Sequence, residues 1–537
     1  MFITKENFKK NNLNLLQFVM ALLVIYSHAF PIAAANSEGE IVIALTGGQY
    51  STGGLAVAVF FIISGFLVSA SYENAKGLFS YLKKRIFRIF PGFFSVLVLS
   101  ALVLGPLVTT LPLREYFSDA ATWRYLKSVF LYPLYWNLPG VFEQNLYSSS
   151  VNGSIWTIPY QFGFYILLGV LGFLGLLRYK KVNLSLFAVF VCAYLTSDNL
   201  FPNVTHFLGI PLKEWLYLGM YFTAGMAAYA FRDRIELSRR GAITCLTLLL
   251  FAWIAEEYYL SVSVFGTYLI LYLGYCTKPV HFSLAKLSFG IYIYAFPVQQ
   301  LFTHLFGGSM SPYLNMLLSV PIVLLLAWLS DRLIETPATK MEKYVTLEPL
   351  IPEKLSRAWG QLRAAWERVL RRLAGISWGG YAAVLLLTGV VVWAAFFNLP
   401  SKVDFTSTRH QPSRVLVSGY YTQNKDEPFV FVTDSSCIHL GQKRGMTCLE
   451  IKGFLPESFT DVNSVSVYFN DAPVLADGEL IPGQVFSFSL TVPDHRMLME
   501  KEVSVQIVFN AVHEREPDNT DIRQLSACIT SICIKKN

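Results

Sequence analysis

A histidine late in the first apolar segment is the first residue whose type and position could do chemistry. His28 ends the run Asn14-Leu-Leu-Gln-Phe-Val-Met-Ala-Leu-Leu-Val-Ile-Tyr-Ser-His28. An ionisable side chain at that depth is costly in lipid, so we expect it to face a bundle interior or a cavity. A neutral imidazole can take a proton from a hydroxyl nucleophile near pH 7, which makes His28 a candidate general base. The alternative is an interfacial histidine without a chemical role.

Two arginines form the second candidate group. Arg85 and Arg88 lie three residues apart in Tyr81-Leu-Lys-Lys-Arg-Ile-Phe-Arg-Ile-Phe-Pro91, so on a helix they share one face. Two convergent guanidinium groups can bind phosphate oxygens through bidentate hydrogen bonds. The alternative is that both arginines merely anchor the basic end of a membrane helix.

The composition indicates that membrane helices position these residues. Of the 537 residues 54% are hydrophobic and 15% are charged, with a mean hydropathy of +0.45, whereas soluble domains average about 25% charged residues. We predict a polytopic α-helical membrane protein with about 10 core transmembrane helices plus one linking helix. The predicted spans, each of roughly 17 to 25 residues, are 13–33, 54–72, 89–110, 155–177, 183–200, 214–231, 242–258, 259–276, 285–305, 312–331 and 378–398.

The distribution of positive charge predicts the orientation in the membrane. Lys and Arg cluster in alternate loops, whereas residues 34–53 contain neither. The positive-inside rule then places the N-terminus in the cytoplasm, and an odd number of spans places the C-terminal region outside. We therefore expect a multi-pass protein of the bacterial inner membrane, with lipid as a partner. Because the net charge of +7 comes from these loops, we expect no nucleic-acid partner.

The last third of the chain changes character. Residues 339–377 interleave arginine with tryptophan and leucine, which is typical of a basic amphipathic linker on the cytoplasmic leaflet; a solvated helix is the alternative. An additional transmembrane helix at 378–398 leads to residues 399–537, where apolar and polar residues alternate with period two. This alternation predicts a C-terminal, all-β, sandwich-like domain on the extracytoplasmic side.

Four cysteines lie in this predicted β domain. In an oxidising compartment they are expected to form disulfides, although four cysteines permit three connectivities. The short sequence separations favour the pairs Cys437–Cys448 and Cys528–Cys533. Along the whole chain no Cys/His spacing resembles a zinc or haem site, so no metal site is predicted.

Six segments, taken in order, resemble the acyltransferase 3 family. They are His28 at the end of the first span, Phe60-Phe-Ile-Ile-Ser-Gly-Phe-Leu67, Arg85-x-x-Arg88 before Pro91, Asn152-Gly-Ser-Ile-Trp-Thr-Ile-Pro159, Leu287-Ser-Phe-Gly-Ile-Tyr292 and Ser330-x-x-x-Ile-Glu335-Thr-Pro337. Residues 1–338 are therefore identified as an acyltransferase 3-like transmembrane domain. The resemblance implies ten core helices, an acyl-CoA donor on the cytoplasmic side, and transfer, commonly of acetyl, to carbohydrate hydroxyls outside.

The resemblance also implies roles for single residues. His28 resembles the essential histidine of the family, while Arg85 and Arg88 resemble its paired arginines, which are proposed to hold CoA phosphates. Ser154 and Trp156 match its Ser-x-Trp segment, which is expected to line the pathway. For Trp156 an interfacial anchor is the alternative.

Three further positions are interpreted through the same resemblance. Glu335 matches a late glutamate of the family, and a partner for Arg332 or a helix cap is the alternative. Gln17 and Gln161 stand where the family usually has an arginine and a glutamate. We expect an amide contact between Gln17 and Gln161 to replace the usual charged pair, which leaves no unpaired buried charge.

The expected function is that of a membrane O-acyltransferase, with O-acetyl transfer favoured. Acetyl-CoA or another acyl-CoA would be the donor substrate, with no bound cofactor, and a hydroxyl of a cell-surface polysaccharide or lipopolysaccharide would be the acceptor. Two alternatives remain open: a transporter or flippase of a lipid-linked or acylated glycan, and a degenerate acyltransferase scaffold that acts in assembly. The neutral amides at Gln17 and Gln161 favour the second of these.

Overall fold

The computed structural model of the protein describes two stretches of the chain. The first is residues 1–345, without 5, 36, 38, 47–49, 149, 201–205, 208–209, 255–257 and 281; the second is residues 402–535, without 405–415, 421–428, 442–445, 458–462, 471, 494–501 and 511–525. Contacts divide the chain into two units, residues 1–389 and 390–537. The predicted span 378–398 and most of the predicted linker lie outside the described residues.

The first unit is helical. Its helices are α1 (Leu13–Ala34), α2 (Ile41–Leu45), α3 (Thr52–Glu73), α4 (Leu78–Leu99), α5 (Gly105–Val108), α6 (Leu113–Ser118), α7 (Ala120–Leu126), α8 (Ile158–Phe173), α9 (Lys180–Leu200), α10 (Leu212–Ala230), α11 (Arg239–Ile254), α12 (Tyr258–Ser261), α13 (Thr267–Tyr275), α14 (Ser288–Leu305), α15 (Pro312–Ser330) and α16 (Thr336–Met341). Two short strands, β1 (His206–Phe207) and β2 (Ile210–Pro211), pair between α9 and α10.

Short irregular turns extend several of these helices. The π turns are Ser100–Leu104, Val262–Gly266 and Asp331–Glu335, and the 3₁₀ turns are Lys127–Phe130, Gly153–Thr157, Leu176–Arg178, Ser283–Leu287 and Glu342–Tyr344. Single π turns within long helices are frequent at functional sites. The turn that carries Glu335 therefore marks the junction of α15 and α16 as a place to look for chemistry.

Within the described residues, five helical segments are long and apolar enough to cross a membrane. They are Leu13–Ala34, Thr52–Glu73, Leu78–Val108, Gly153–Phe173 and Pro312–Tyr344. A helix also occupies each of the other five spans predicted before residue 340. The helical membrane domain is thus confirmed, while the number of about ten crossing helices stays a prediction.

The helix α3 lies at the centre of the bundle and packs tightly against α10. Most of its side chains from Thr52 to Ala70 are buried. A Cβ atom on Gly65 would lie 1.9 Å from the backbone oxygen of Phe222, and one on Gly225 would lie 2.0 Å from that of Ile62. Small residues let membrane helices approach this closely, so the two glycines set the distance between α3 and α10.

The second unit is an antiparallel β domain, which confirms its predicted all-β character, but its described strands form one sheet and not the two separate sheets of the expected sandwich. Its described strands are β3 (Lys402–Asp404), β4 (Leu416–Tyr420), β5 (Val430–Gly441), β6 (Cys448–Phe454), β7 (Asn463–Phe469), β8 (Ala472–Leu480), β9 (Val485–Thr491), β10 (Glu502–Phe509) and β11 (Ala527–Lys535). They form one sheet in the order β8-β7-β10-β5-β11-β6-β9, with β3 beside β11 and β4 beside β5. The end strands approach each other, since a Cβ on Gly478 would lie 3.2 Å from the ring of Phe488, so the sheet nearly closes.

Both predicted disulfides are wrong, because strand geometry separates their cysteines. Cys528 and Cys533 lie on the same strand, β11, and five residues of extended chain span about 16 Å. Cys437 and Cys448 lie on β5 and β6, with β11 between these strands, which places them more than about 9 Å apart. A disulfide needs Cα atoms within about 7 Å.

Candidate functional site

A cavity of about 230 Å³ lies between α1, α3, α4, α8 and α14. It brings together four of the residues singled out in the sequence, although they come from three separate helices. The polar side chains that line it include Gln17, Ser64, Arg85, Arg88, Gln161 and Tyr165. Apolar residues such as Phe60 and Phe289 complete its wall. A concave site on which several polar side chains converge is a usual place for a small molecule to bind.

The Arg85 guanidinium lies close to two aromatic rings. Its guanidinium carbon lies 6.0 Å from the centre of the Tyr81 ring and 5.8 Å from that of Tyr165, and its Nη2 donates to Ser71 Oγ at 3.1 Å. Its Nε is buried and has no hydrogen-bond partner in the described part of the chain. Arg85 is thus oriented by its neighbours while it keeps a donor for a ligand.

Arg88 is paired across the bundle with Glu335. Its Nη1 lies 3.3 Å from Glu335 Oε2, with 40% of the arginine side chain exposed and 3% of the glutamate. Ser330 Oγ donates to the other oxygen, Oε1, at 3.1 Å. The structure therefore pairs Glu335 with Arg88 and not with Arg332, the partner considered from the sequence. A buried carboxylate needs such partners, because an unpaired charge there is costly.

The two amides that replace the family's charged pair both line the cavity. Gln161 Nε2 donates to Tyr165 Oη at 2.8 Å, and the same hydroxyl accepts from Ser64 Oγ at 3.1 Å. Among the described residues no hydrogen bond joins Gln17 to Gln161, whose amide instead bonds to Tyr165 within α8, so the structure does not form the expected amide contact.

His28 lies away from this cavity. It follows Gln17 by eleven residues on α1, about 16 Å along a helix that rises 1.5 Å per residue. Its ring packs edge-on against Phe296, with the ring centres 5.4 Å apart. Its Nδ1 is buried and, among the described residues, has no hydrogen-bond partner. His28 therefore keeps a buried ring nitrogen that is available to another molecule.

Ser154 reaches the same neighbourhood from the 3₁₀ turn Gly153–Thr157. Asn152 Oδ1 accepts a hydrogen bond from Ser154 N at 3.2 Å and so begins the turn. A Cβ on Gly153 would lie 2.7 Å from the Phe296 ring, which places this turn against the ring that also touches His28. Ser154 is fully buried, and its Oγ has no partner within the described ranges. Trp156 packs against Tyr160 instead, with the ring centres 5.7 Å apart.

We call the group formed by His28, Ser154 and Phe296 the histidine site. Three elements connect this site with the cavity. Helix α1 carries Gln17 and His28, the turn before α8 leads from Ser154 to Gln161, and α14 carries Phe296 and, one turn earlier, Tyr292. Thr157 Oγ1 and Tyr292 Oη share a hydrogen bond of 2.8 Å between these two regions. Sequence reasoning quoted Tyr292 in a motif but assigned it no role, and it missed Phe296, which lies on the same helix face.

A family model described as an acyltransferase domain, that of acyltransferase 3, matches residues 10–332. The chain belongs to the acyltransferase 3 family. The match covers the helical unit that holds both the cavity and the histidine site. The chain is therefore an acyltransferase, in agreement with the expectation from its six motifs.

Two curated proteins are similar to the chain. An O-acetyl transferase from Shigella phage Sf6 is 29% identical over 335 residues, which cover 61% of this chain and 95% of the phage protein. Nodulation protein 10 from Rhizobium leguminosarum bv. viciae is 33% identical over 168 residues, which cover 30% of this chain and 44% of that protein. The chain thus covers nearly the whole length of the first of these relatives.

One solved structure resembles a smaller part of the chain. It is the structure of CBM35 from Paenibacillus barcinonensis, with 13% identity and a TM-score of 0.14, covering 26% of this chain and 92% of that protein.

Proposed function

We propose that this acyltransferase moves an acyl group, acetyl in the favoured case, from cytoplasmic acyl-CoA to a hydroxyl of a cell-surface polysaccharide or lipopolysaccharide. The proposal is supported by one observation: the cavity and the histidine site lie on the same elements of the helical unit. The cavity holds Arg85 and Arg88, and the histidine site holds an imidazole nitrogen and a serine hydroxyl that are buried and unpartnered among the described residues. Such groups suit a donor with phosphates and an acceptor with a hydroxyl.

The donor would enter at the arginines and extend toward His28. Arg85 keeps a buried N–H, and Arg88 keeps part of its guanidinium exposed beside Glu335. Guanidinium groups match phosphate oxygens in charge and geometry. An elongated acyl-CoA, with its phosphates at one end and its thioester at the other, can span the roughly 16 Å between Gln17 and His28 on α1.

His28 would then act on the acceptor hydroxyl. Its imidazole removes the proton as the hydroxyl oxygen attacks the thioester carbonyl carbon. The carbon–sulfur bond breaks, the acyl group stays on the sugar oxygen, and the proton passes to the departing thiolate to give free CoA. Because the bundle surrounds the reacting groups, water would be kept from competing with the sugar.

The remaining parts of the proposal rest on the relatives and on charge. The name of the phage relative, an O-acetyl transferase, favours acetyl as the transferred group. The basic loops of the chain favour a cytoplasmic N-terminus in the bacterial inner membrane. The acceptor would then be reached from the periplasmic side, where the proposed glycan lies.

The experiment uses purified full-length protein in lipid vesicles with acetyl-labelled acetyl-CoA and bacterial polysaccharide. We expect label in the glycan together with release of CoA. In the His28→Ala variant both should fall to background, while the protein still inserts, because the change makes α1 more apolar. Wild-type protein that binds glycan without releasing CoA would instead support a transporter or an assembly scaffold. Full transfer by His28→Ala would remove His28 from the mechanism.

A further inference from the structure

Two adjacent glutamines on α14 are completely buried in the helical unit. Gln299 and Gln300 have 0% of their surface exposed, and they follow Phe296 within about one helical turn. Polar side chains inside a membrane bundle are costly and tend to have a function. The partners of these two amides therefore indicate what each of them does.

Gln299 connects α14 to the part of α1 that carries His28. Its Nε2 donates to the backbone oxygen of Ile25 at 2.8 Å and to Asn315 Oδ1 at 3.1 Å. Asn315 in turn donates to the backbone oxygen of Gln299 at 2.9 Å and to Thr303 Oγ1 at 3.0 Å. Since Ile25 precedes His28 by three residues, this network ties the histidine's own turn of α1 to α14 and α15.

Gln300 connects the same helix to the chain segment that leads to Ser154. Its Nε2 donates to the backbone oxygens of Tyr147 at 2.5 Å and Ser150 at 2.9 Å. Its Oε1 accepts from Asn145 Nδ2 at 2.8 Å. The ring of Tyr147 also packs on Phe296, with the centres 5.6 Å apart. The Gln300 side chain thus provides hydrogen bonds to backbone oxygens of an irregular segment. Without it, these oxygens would need water as a partner.

We propose that Gln299 and Gln300 are positioning residues of the acyl-transfer site, and this rests on the proposed function. Gln299 sets the position of His28, and Gln300 sets the position of Ser154. The Phe296 ring contacts both the His28 ring and the turn that carries Ser154. Neither glutamine touches the substrates: each acts through the backbone that it holds. The pair therefore determines where His28 and Ser154 lie relative to the bound substrates, and reaction rate is sensitive to such placement.

The test replaces each glutamine by methionine, which keeps the length and volume of the side chain but removes its donor. Gln299→Met and Gln300→Met are expected to lower kcat on the order of 10-fold to 100-fold while the KM for acetyl-CoA stays within about twofold, because the arginine cavity is untouched. The matched control is Asn12→Leu. Asn12 also ties α1 to a neighbouring segment, through Thr277 Oγ1 and the backbone oxygen of Lys278, but at the opposite end of the helix.

A second measurement does not depend on activity. The rate at which diethyl pyrocarbonate modifies His28, followed by mass spectrometry of its peptide, should change in Gln299→Met and remain at the wild-type value in Gln300→Met and Asn12→Leu. A wild-type kcat and an unchanged His28 modification rate in Gln299→Met would overturn the proposal. So would a loss of kcat in Asn12→Leu as large as in the glutamine variants, since the effect would then be one of stability. If wild-type protein transfers no acetyl, the proposed function fails. The rate of His28 modification in Gln299→Met still tests whether Gln299 positions His28.

Discussion

The two arginines that share a face of α4 have different surroundings. Arg85 is held by two aromatic rings and Ser71, with a buried Nε that no described residue satisfies. Arg88 is bound to Glu335, whose carboxylate is almost fully buried. Arg88 therefore has two tasks, since it neutralises a buried charge and also presents its remaining N–H groups to the cavity. Loss of each arginine should consequently produce a different pattern of defects.

Removal of either arginine is expected to raise the KM for acyl-CoA by about tenfold or more, which corresponds to the loss of a hydrogen bond between charged groups. The KM for the glycan should change less. Arg88→Ala should in addition lower the melting temperature in detergent, because it leaves the Glu335 carboxylate buried without its cation. Initial rates at varied donor and acceptor concentrations, together with thermal unfolding, measure both effects.

The double variant Arg88→Ala/Glu335→Gln provides the control for this prediction. It removes the unpaired charge, so the melting temperature should recover while the donor KM stays high. A donor KM that returns to the wild-type value would contradict a role for Arg88 in donor binding, because Arg88 would then act only through Glu335.

At the scale of elements, α3 positions the site because it is fixed on both sides. Its serine Ser64 bonds to Tyr165 at the cavity, while Gly65 presses against the backbone of α10 on the other side. Ser51 begins the helix, since its Oγ accepts from Gly54 N at 2.9 Å. A shift of α3 away from α10 would therefore be transmitted to the cavity wall.

Gly65→Ala is expected to destabilise the helical unit by at least about 1–3 kcal/mol, the usual cost of forcing extra atoms into a packed interface. The added Cβ would meet a backbone oxygen at 1.9 Å, and backbone cannot rotate away. Thermal unfolding in detergent measures the effect, with activity lost in parallel as the cavity widens.

The matched control lies in the same helix. A Cβ on Gly54 would lie 3.3 Å from Ser51 Oγ, a side-chain atom that can adjust. Gly54→Ala should therefore keep a melting temperature close to wild type. Equal melting temperatures for the two alanine variants would show that α3 and α10 do not depend on this close approach.

At the scale of the whole molecule, the chain consists of two units with separate cores. The core of the β domain is formed by its own residues, among them Val467, Val505 and Ile532, all completely buried. The helical unit carries the cavity and the histidine site. The side of the membrane on which the β domain lies decides whether it can meet a glycan.

The β domain is expected on the extracytoplasmic side. In spheroplasts, a membrane-impermeant amine reagent should label Lys452 and Lys535, which are exposed on β6 and β11. Lys76, exposed in the loop between α3 and α4, should react only after the membrane is permeabilised. Peptide mass spectrometry reports all three sites. Labelling of Lys76 before permeabilisation, or of Lys452 only afterwards, would reverse the predicted orientation.

The sequence by itself determined the class of the protein and the nature of its elements. Composition and apolar runs depend on the transfer of each residue between water and lipid, which is a local property. Period-two alternation identified the β domain because side chains alternate across a strand. The three-residue spacing of Arg85 and Arg88 placed them on one face of α4, and ordered motifs around His28 identified the acyltransferase family.

Only the tertiary structure decided which of these residues meet. The pairing of Arg88 with Glu335 joins positions 247 residues apart, and that of Gln299 with Ile25 joins positions 274 residues apart. The cysteines show the reverse case, since Cys528 and Cys533 are close in sequence but are separated by the extended strand that they share. Contacts of this kind depend on how helices and strands pack, which spacing along the chain does not specify.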